Sequence, residues 1–151
     1  MEIAKLLHVL GVVVWVGGMF FAYMALRPAA AALLEPPQRL PLWQATLEKF
    51  FVWVWVAVAL ILASGLWMIH VLGGFRAIGL YVHLMFALGI VMMLIFAHVF
   101  FAPFRRLTRL VKAQEWKPGG AALGQIRKLV GLNLFLGLLT VAVAILGRMF
   151  A

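Results

Sequence analysis

The stretch LLHVLGVVVWVGGMFF, Leu6–Phe21, carries no fixed charge and one ionisable ring, His8. Widened to Ile3–Leu26 it reaches the roughly 20 mostly apolar residues needed to cross about 30 Å of hydrocarbon. Three further stretches repeat it: Phe50–Leu72, Ile78–Phe101 and Leu129–Phe150. No alternating strand pattern interrupts them. Backbone facing lipid must satisfy its own hydrogen bonds, so each reads as a helix. The expectation is all-α: a four-transmembrane-helix bundle forming a single integral membrane domain over residues 1–151.

Composition agrees. The chain is 67% hydrophobic and 11% charged, with a mean hydropathy of +1.13. A soluble domain is nearer half apolar and a quarter charged. The four spans leave no room for a separate soluble domain. The first run is too long for the apolar region of a signal peptide, and Glu2 stands where such a peptide is positive, so it is read as a span. There is no cysteine, which removes disulfides, thiolate ligands and redox pairs. Any metal here must use His, Met or carboxylate.

The net charge of +9 is explained by where the charges sit. Arg27, Arg39, Lys49, Arg105, Arg106, Arg109, Lys112, Lys117, Arg127 and Lys128 fall in the two stretches Arg27–Lys49 and Pro103–Lys128. Lys5, Arg76 and Arg148 fall on the opposite side, with both termini. The positive-inside rule places the basic loops in the cytoplasm and the termini on the outer, periplasmic side. The basic residues then read as topology signals and lipid-headgroup anchors, not as a nucleic-acid patch.

The first basic stretch, RPAAAALLEPPQRLPLW, holds four prolines, which the sequence reading takes to prevent one continuous helix. Leu42–Lys49 is expected as a short helix along the headgroups, with Trp43, Trp53 and Trp55 as interfacial aromatics. VLGGFRAIG, Val71–Gly79, is expected as a tight turn. FRRLTRLVKAQEWKPGG, Phe104–Gly120, is expected as a helical extension ended by its Pro-Gly-Gly.

Small residues in the spans suit close helix packing. One set is more specific: His8, Gly11, Trp15, Gly18 and Ala22 share one helix face. That face sets a ring nitrogen above two glycines and a tryptophan, a shape suited to a flat ligand or to a neighbouring helix. Histidine inside a span is costly, and the default reading is functional. At the helical rise His8 lies about 7 Å inside the first span, and His83 lies at a similar depth in the third. His70 sits near the outer end of the second span. His98 lies near the cytoplasmic end of the third. Carboxylates are confined to Glu2, Glu35, Glu48 and Glu115, all outside the spans. A hydrolase or carboxylate proton relay is therefore disfavoured, and no catalytic residue is assigned. Asn133 and Thr140 are expected to bond between helices.

Two groups suit paired histidines. Haem b is one, with His8 and His83 as axial ligands and Gly11, Trp15 and Gly18 shaping its pocket. Copper is the other, because imidazole and thioether bind it and eight methionines are present. Its ligands would be His8, His83 and His70, with Met68 or Met85. Zinc would need more ligands than the well-placed histidines supply.

LLHVLGVVVWVGGMFF and the third-span segment YVHLMFALGIVMMLIFAHVFFAPFRRL, Tyr81–Leu107, resemble the CopD-like membrane proteins. They also resemble the related HemJ-type protoporphyrinogen oxidases. The CopD resemblance implies a bacterial inner-membrane protein with a role in copper uptake or tolerance. The HemJ resemblance implies haem at a first-helix histidine, which His8 matches. Those enzymes carry a lysine where this chain has His83, which puts their activity in doubt here while offering a second imidazole.

The favoured expectation is a small haem b protein with bis-His ligation near the outer face, passing electrons to quinone or a redox partner. The alternatives are a copper-handling membrane protein and a non-catalytic membrane subunit. Whether the bundle forms a homodimer stays open at this point.

Overall fold

The computed structural model describes residues 1–150; Ala151, the last residue of the expected domain, lies outside the described residues. Four long helices carry the chain: α1 Glu2–Leu33, α2 Pro36–Val71, α3 Leu80–Lys112 and α4 Trp116–Leu146. A single 3-10 turn, Gly147–Phe150, follows α4. Among the described residues there is no strand. The all-α expectation holds, and all four helices are long and apolar enough to cross a membrane.

Each helix overruns the expected span. A helix of about 33 residues is about 50 Å long, against about 30 Å of hydrocarbon. The first basic stretch is mostly helix ends continued past the apolar windows, and the second opens, as expected, with a helical extension of the third span to Lys112. Between α1 and α2 only Leu34 and Glu35 leave helix.

As expected, the prolines keep the first basic stretch from forming one continuous helix: the chain leaves helix at Leu34 and Glu35, directly before Pro36 and Pro37. The other prolines, Pro41 inside α2 among them, do not end a helix. Pro36 and Pro37 open α2, where the first N–H groups have no intrahelical partner to lose. Pro118 stands at the third position of α4, under the same exemption. Pro28 and Pro103 lie mid-rod, and each has a widened π turn at hand, Ala22–Leu26 in α1 and Phe100–Phe104 in α3. A π turn absorbs an interrupted hydrogen-bond ladder without ending the helix. Leu42–Lys49 is thus part of α2, not a separate surface helix. Trp43 is not an interfacial anchor but a core residue, 8% exposed; Trp53 faces outward, while Trp55 packs edge-on against Phe96 and Phe100.

Two helix ends close in the same way. Gly73 N–H bonds His70 O (3.1 Å) and Gly74 N–H bonds Ile69 O (2.8 Å), with φ of +99° at Gly73. At the end of α3, Gln114 N–H bonds Val111 O (3.1 Å) and Glu115 N–H bonds Leu110 O (3.0 Å), with φ of +55° at Gln114. Both are Schellman closures. The turn in VLGGFRAIG appears as expected. The stop after α3 falls at Gln114, not at Pro-Gly-Gly.

Packing follows connectivity. α1 packs along α2, α3 along α4, and α4 also touches α1 and α2. The tight part of the core lies in the basic half of the bundle, around Phe51. Its ring stands edge-on to Phe96 (5.3 Å between centroids) and Phe104 (4.9 Å), and Trp15 stands edge-on to Phe96 (6.1 Å). Towards the termini the buried residues thin to Gly11, Ser64 and Ile69. Asn133 bonds between helices as expected, donating from Nδ2 to Met92 O (3.2 Å). Thr140 donates to Leu136 O of its own helix (2.8 Å) and also reaches Met92 Sδ on α3 (4.0 Å).

Candidate functional site

His8 is held by α2. Its Nδ1 lies 3.1 Å from Ile61 O and 3.1 Å from Ser64 Oγ. A carbonyl can only accept, and the Ser64 hydroxyl donates its proton to Leu60 O. The proton between them therefore belongs to the imidazole, on Nδ1. Nε2 is left with a free lone pair. This is the arrangement that orients a metal-binding histidine, its other nitrogen tied to a carbonyl or hydroxyl.

The local sequence makes the contact feasible. Ser64 is buried on the α2 face that meets α1. Gly65 beside it faces the ring: a Cβ there would stand 3.4 Å from His8 Cε1, in ordinary contact. Met68 follows Ser64 by four residues, which places it on the same α2 face one turn nearer the end that carries the termini.

The rest of the α1 stripe is filled by protein. A Cβ on Gly11 would meet Ile61 Cγ1 at 2.8 Å and Ala57 O at 3.2 Å, and a Cβ on Gly18 would run into the Phe50 ring. Trp15 is buried in the aromatic core, 3% exposed. Of the two occupants the sequence allowed for this face, the structure supplies the neighbouring helix. His83 is exposed in the first turn of α3, its Nδ1–H donating to Gly79 O (3.2 Å) and its ring beside Phe75. His70 is exposed in the last turn of α2, near Trp67. His98 is exposed near the far end of α3. Among the described residues no three His, Asp or Glu side chains converge on one point. His8, His70 and His83 thus share the end of the bundle that carries the termini without forming one cluster.

A bis-His haem does not fit these residues. The glycine-lined face is taken by Ile61 and Phe50, and the partly open cavity of the bundle is lined by no histidine. The sequence reading named His8 but not the groups that fix it. The available signal was Ser64, a hydroxyl in the middle of an apolar run.

The fold and its four apolar helices define a multi-pass helical membrane protein. The family model for copper resistance protein D (CopD) matches residues 44–146, about two thirds of the chain, and the chain belongs to that family. His70, His83 and His98 lie inside the matched segment, and His8 precedes it. Neither a curated protein nor a solved structure matches the chain.

Proposed function

We propose that this protein handles copper, as cargo, at the end of the bundle that carries its termini, and that His8 is the primary ligand. The observation that carries the reading is the fixed His8 ring, with Nδ1–H spent on Ile61 and Ser64 and Nε2 left as a donor. Family membership supports the choice of copper over haem. The donor chemistry agrees, since thioether and imidazole suit Cu(I). Met68 supplies a thioether one helical turn from Ser64 on α2. His70 and His83, exposed at the same end, would serve as further stations for the ion.

In this reading the basic ends lie in the cytoplasm and the site faces the periplasm across a bacterial inner membrane. The test is a Cu(I) competition titration on detergent-purified protein. One copper per chain, lost in His8→Ala and retained in His98→Ala, supports the assignment. Copper binding unchanged in His8→Ala overturns it.

A further inference from the structure

The basic half of the bundle holds a partly open cavity of about 290 Å³ that plays no part in the copper site. It runs along α1 from Trp15 to Ala31, about 24 Å at the helical rise. Its deep walls are apolar, among them Trp15, Met19, Phe51 and Phe96. Its opposite end carries Arg27, Arg39 and Arg127, and no carboxylate lines it anywhere. Among the described residues the one ion pair is Lys5–Glu2, at the other end of the molecule. Three arginines around one opening, with no acid to answer them, call for an anion. They also repel a bare copper ion, so this cavity is no continuation of the copper path.

A second observation comes from the deep end. Asn133 lines the cavity, is 3% exposed, and spends Nδ2 on Met92 O. Its Oδ1 is buried with no hydrogen-bond partner. A buried amide oxygen without a donor costs about 1–3 kcal/mol, so such an atom on a residue that lines a cavity marks a place for a donor group.

We infer that the cavity binds an elongated amphipathic anion. Its carboxylate or phosphate head would lie on Arg27, Arg39 and Arg127, its apolar body between α1, α2 and α4, and a hydroxyl or N–H would reach Asn133. The position suits the chemistry. The arginines stand where the helices leave the apolar windows, at headgroup level, and the apolar walls lie within them. Arg27 is already braced, its Nε donating to Tyr23 O (3.1 Å) and its guanidinium over the Tyr23 ring (4.5 Å).

The structure supplies a clean blocking variant. Gly124 lines the cavity, and a Cβ built there meets nothing within 4 Å. Gly124→Leu therefore adds bulk at the cavity wall with no clash at its Cβ, and leucine favours the helix over glycine. The experiment is native mass spectrometry and equilibrium titration of the full chain. The probes are hexadecanoate, 16-hydroxyhexadecanoate, hexadecyl phosphate and neutral hexadecan-1-ol. An anionic probe should bind one per chain at least tenfold tighter than the alcohol. Gly124→Leu should abolish binding, and the Arg27→Gln, Arg39→Gln double variant should bring the anion down to the level of the alcohol. Tighter binding of the phosphate points to a phospholipid head as the natural source, and tighter binding of the carboxylate to a free acid. The 16-hydroxyl should improve binding in wild type and not in Asn133→Leu. Equal binding of the alcohol, anion binding that survives Gly124→Leu, or no binding of either anion would overturn the inference.

Discussion

His8 of α1 and Ser64 of α2 meet across the first helical hairpin, Nδ1 to Oγ, at 3.1 Å. The pairing does two jobs. It gives a polar ring within the bilayer a partner, which a bare imidazole there would lack. It also fixes which nitrogen holds the proton, because Ser64 donates elsewhere and Ile61 O can only accept.

Ser64→Ala should keep the fold, since Leu60 O retains its helical bond, but should loosen the ring. Removing such an orienting partner costs about 10–100-fold in metal affinity. Cu(I) affinity should fall by that range in Ser64→Ala and hold within about threefold in Ser64→Thr, which keeps the hydroxyl. A Ser64→Ala protein that binds copper like wild type would leave the hydrogen bond without a role.

The contact between α1 and α2 predicts a contrast between neighbouring glycines. Gly11→Ala pushes a Cβ towards Ile61 and the backbone oxygen of Ala57, which cannot move aside cheaply. Overpacking of this kind costs about 1–3 kcal/mol. A Cβ on Gly17 meets nothing within 4 Å, so Gly17→Ala should be neutral or stabilising by up to about 1 kcal/mol. Thermal unfolding in one detergent compares the two directly.

The two Schellman closures predict opposite signs. Gln114 adopts φ of +55°, a region that disfavours side chains by about 1–2 kcal/mol. Gln114→Gly should raise stability by about 1 kcal/mol, offset in part by added freedom in the unfolded chain. Gly73→Ala, at φ of +99°, should lower it by at least as much. Paired melting curves in detergent check the signs.

Phe51 is the hub of the aromatic cluster, packed edge-on against Phe96, Phe100 and Phe104. Phe51→Ala should cost about 3–5 kcal/mol, the range for a buried aromatic. Trp53→Ala, two residues on and 60% exposed, should cost far less. Similar losses for both in detergent unfolding would mean that the cluster is not the core.

The four spans were legible because hydrophobic length is a strong local signal, and the Gly73–Gly74 turn because glycine announces positive φ. The helical extension past Phe104 was legible from its charge spacing, but those at the ends of α1, α2 and α4 were not. Proline reads as a breaker, and its exemption depends on where each helix begins, which local sequence does not settle at Pro36 and Pro118. Gln114 hid the end of α3 because nothing about glutamine advertises a left-handed residue. His8 stood out as a polar ring in an apolar run. The packing of α2 into the Gly11–Gly18 face was invisible, because small residues serve a flat ligand and a close helix equally well. Asn133 read as a helix–helix bond, which it is, but its second polar atom shows its importance only once the cavity is seen.

The most direct test of the copper reading is X-ray absorption at the copper edge on Cu(I)-loaded protein, wild type beside His8→Ala. The account predicts imidazole nitrogen and thioether sulfur scattering in wild type, with the nitrogen shell reduced or the copper lost in the variant. Identical spectra from the two proteins would contradict it, and would show that His8 is held by Ser64 for packing alone.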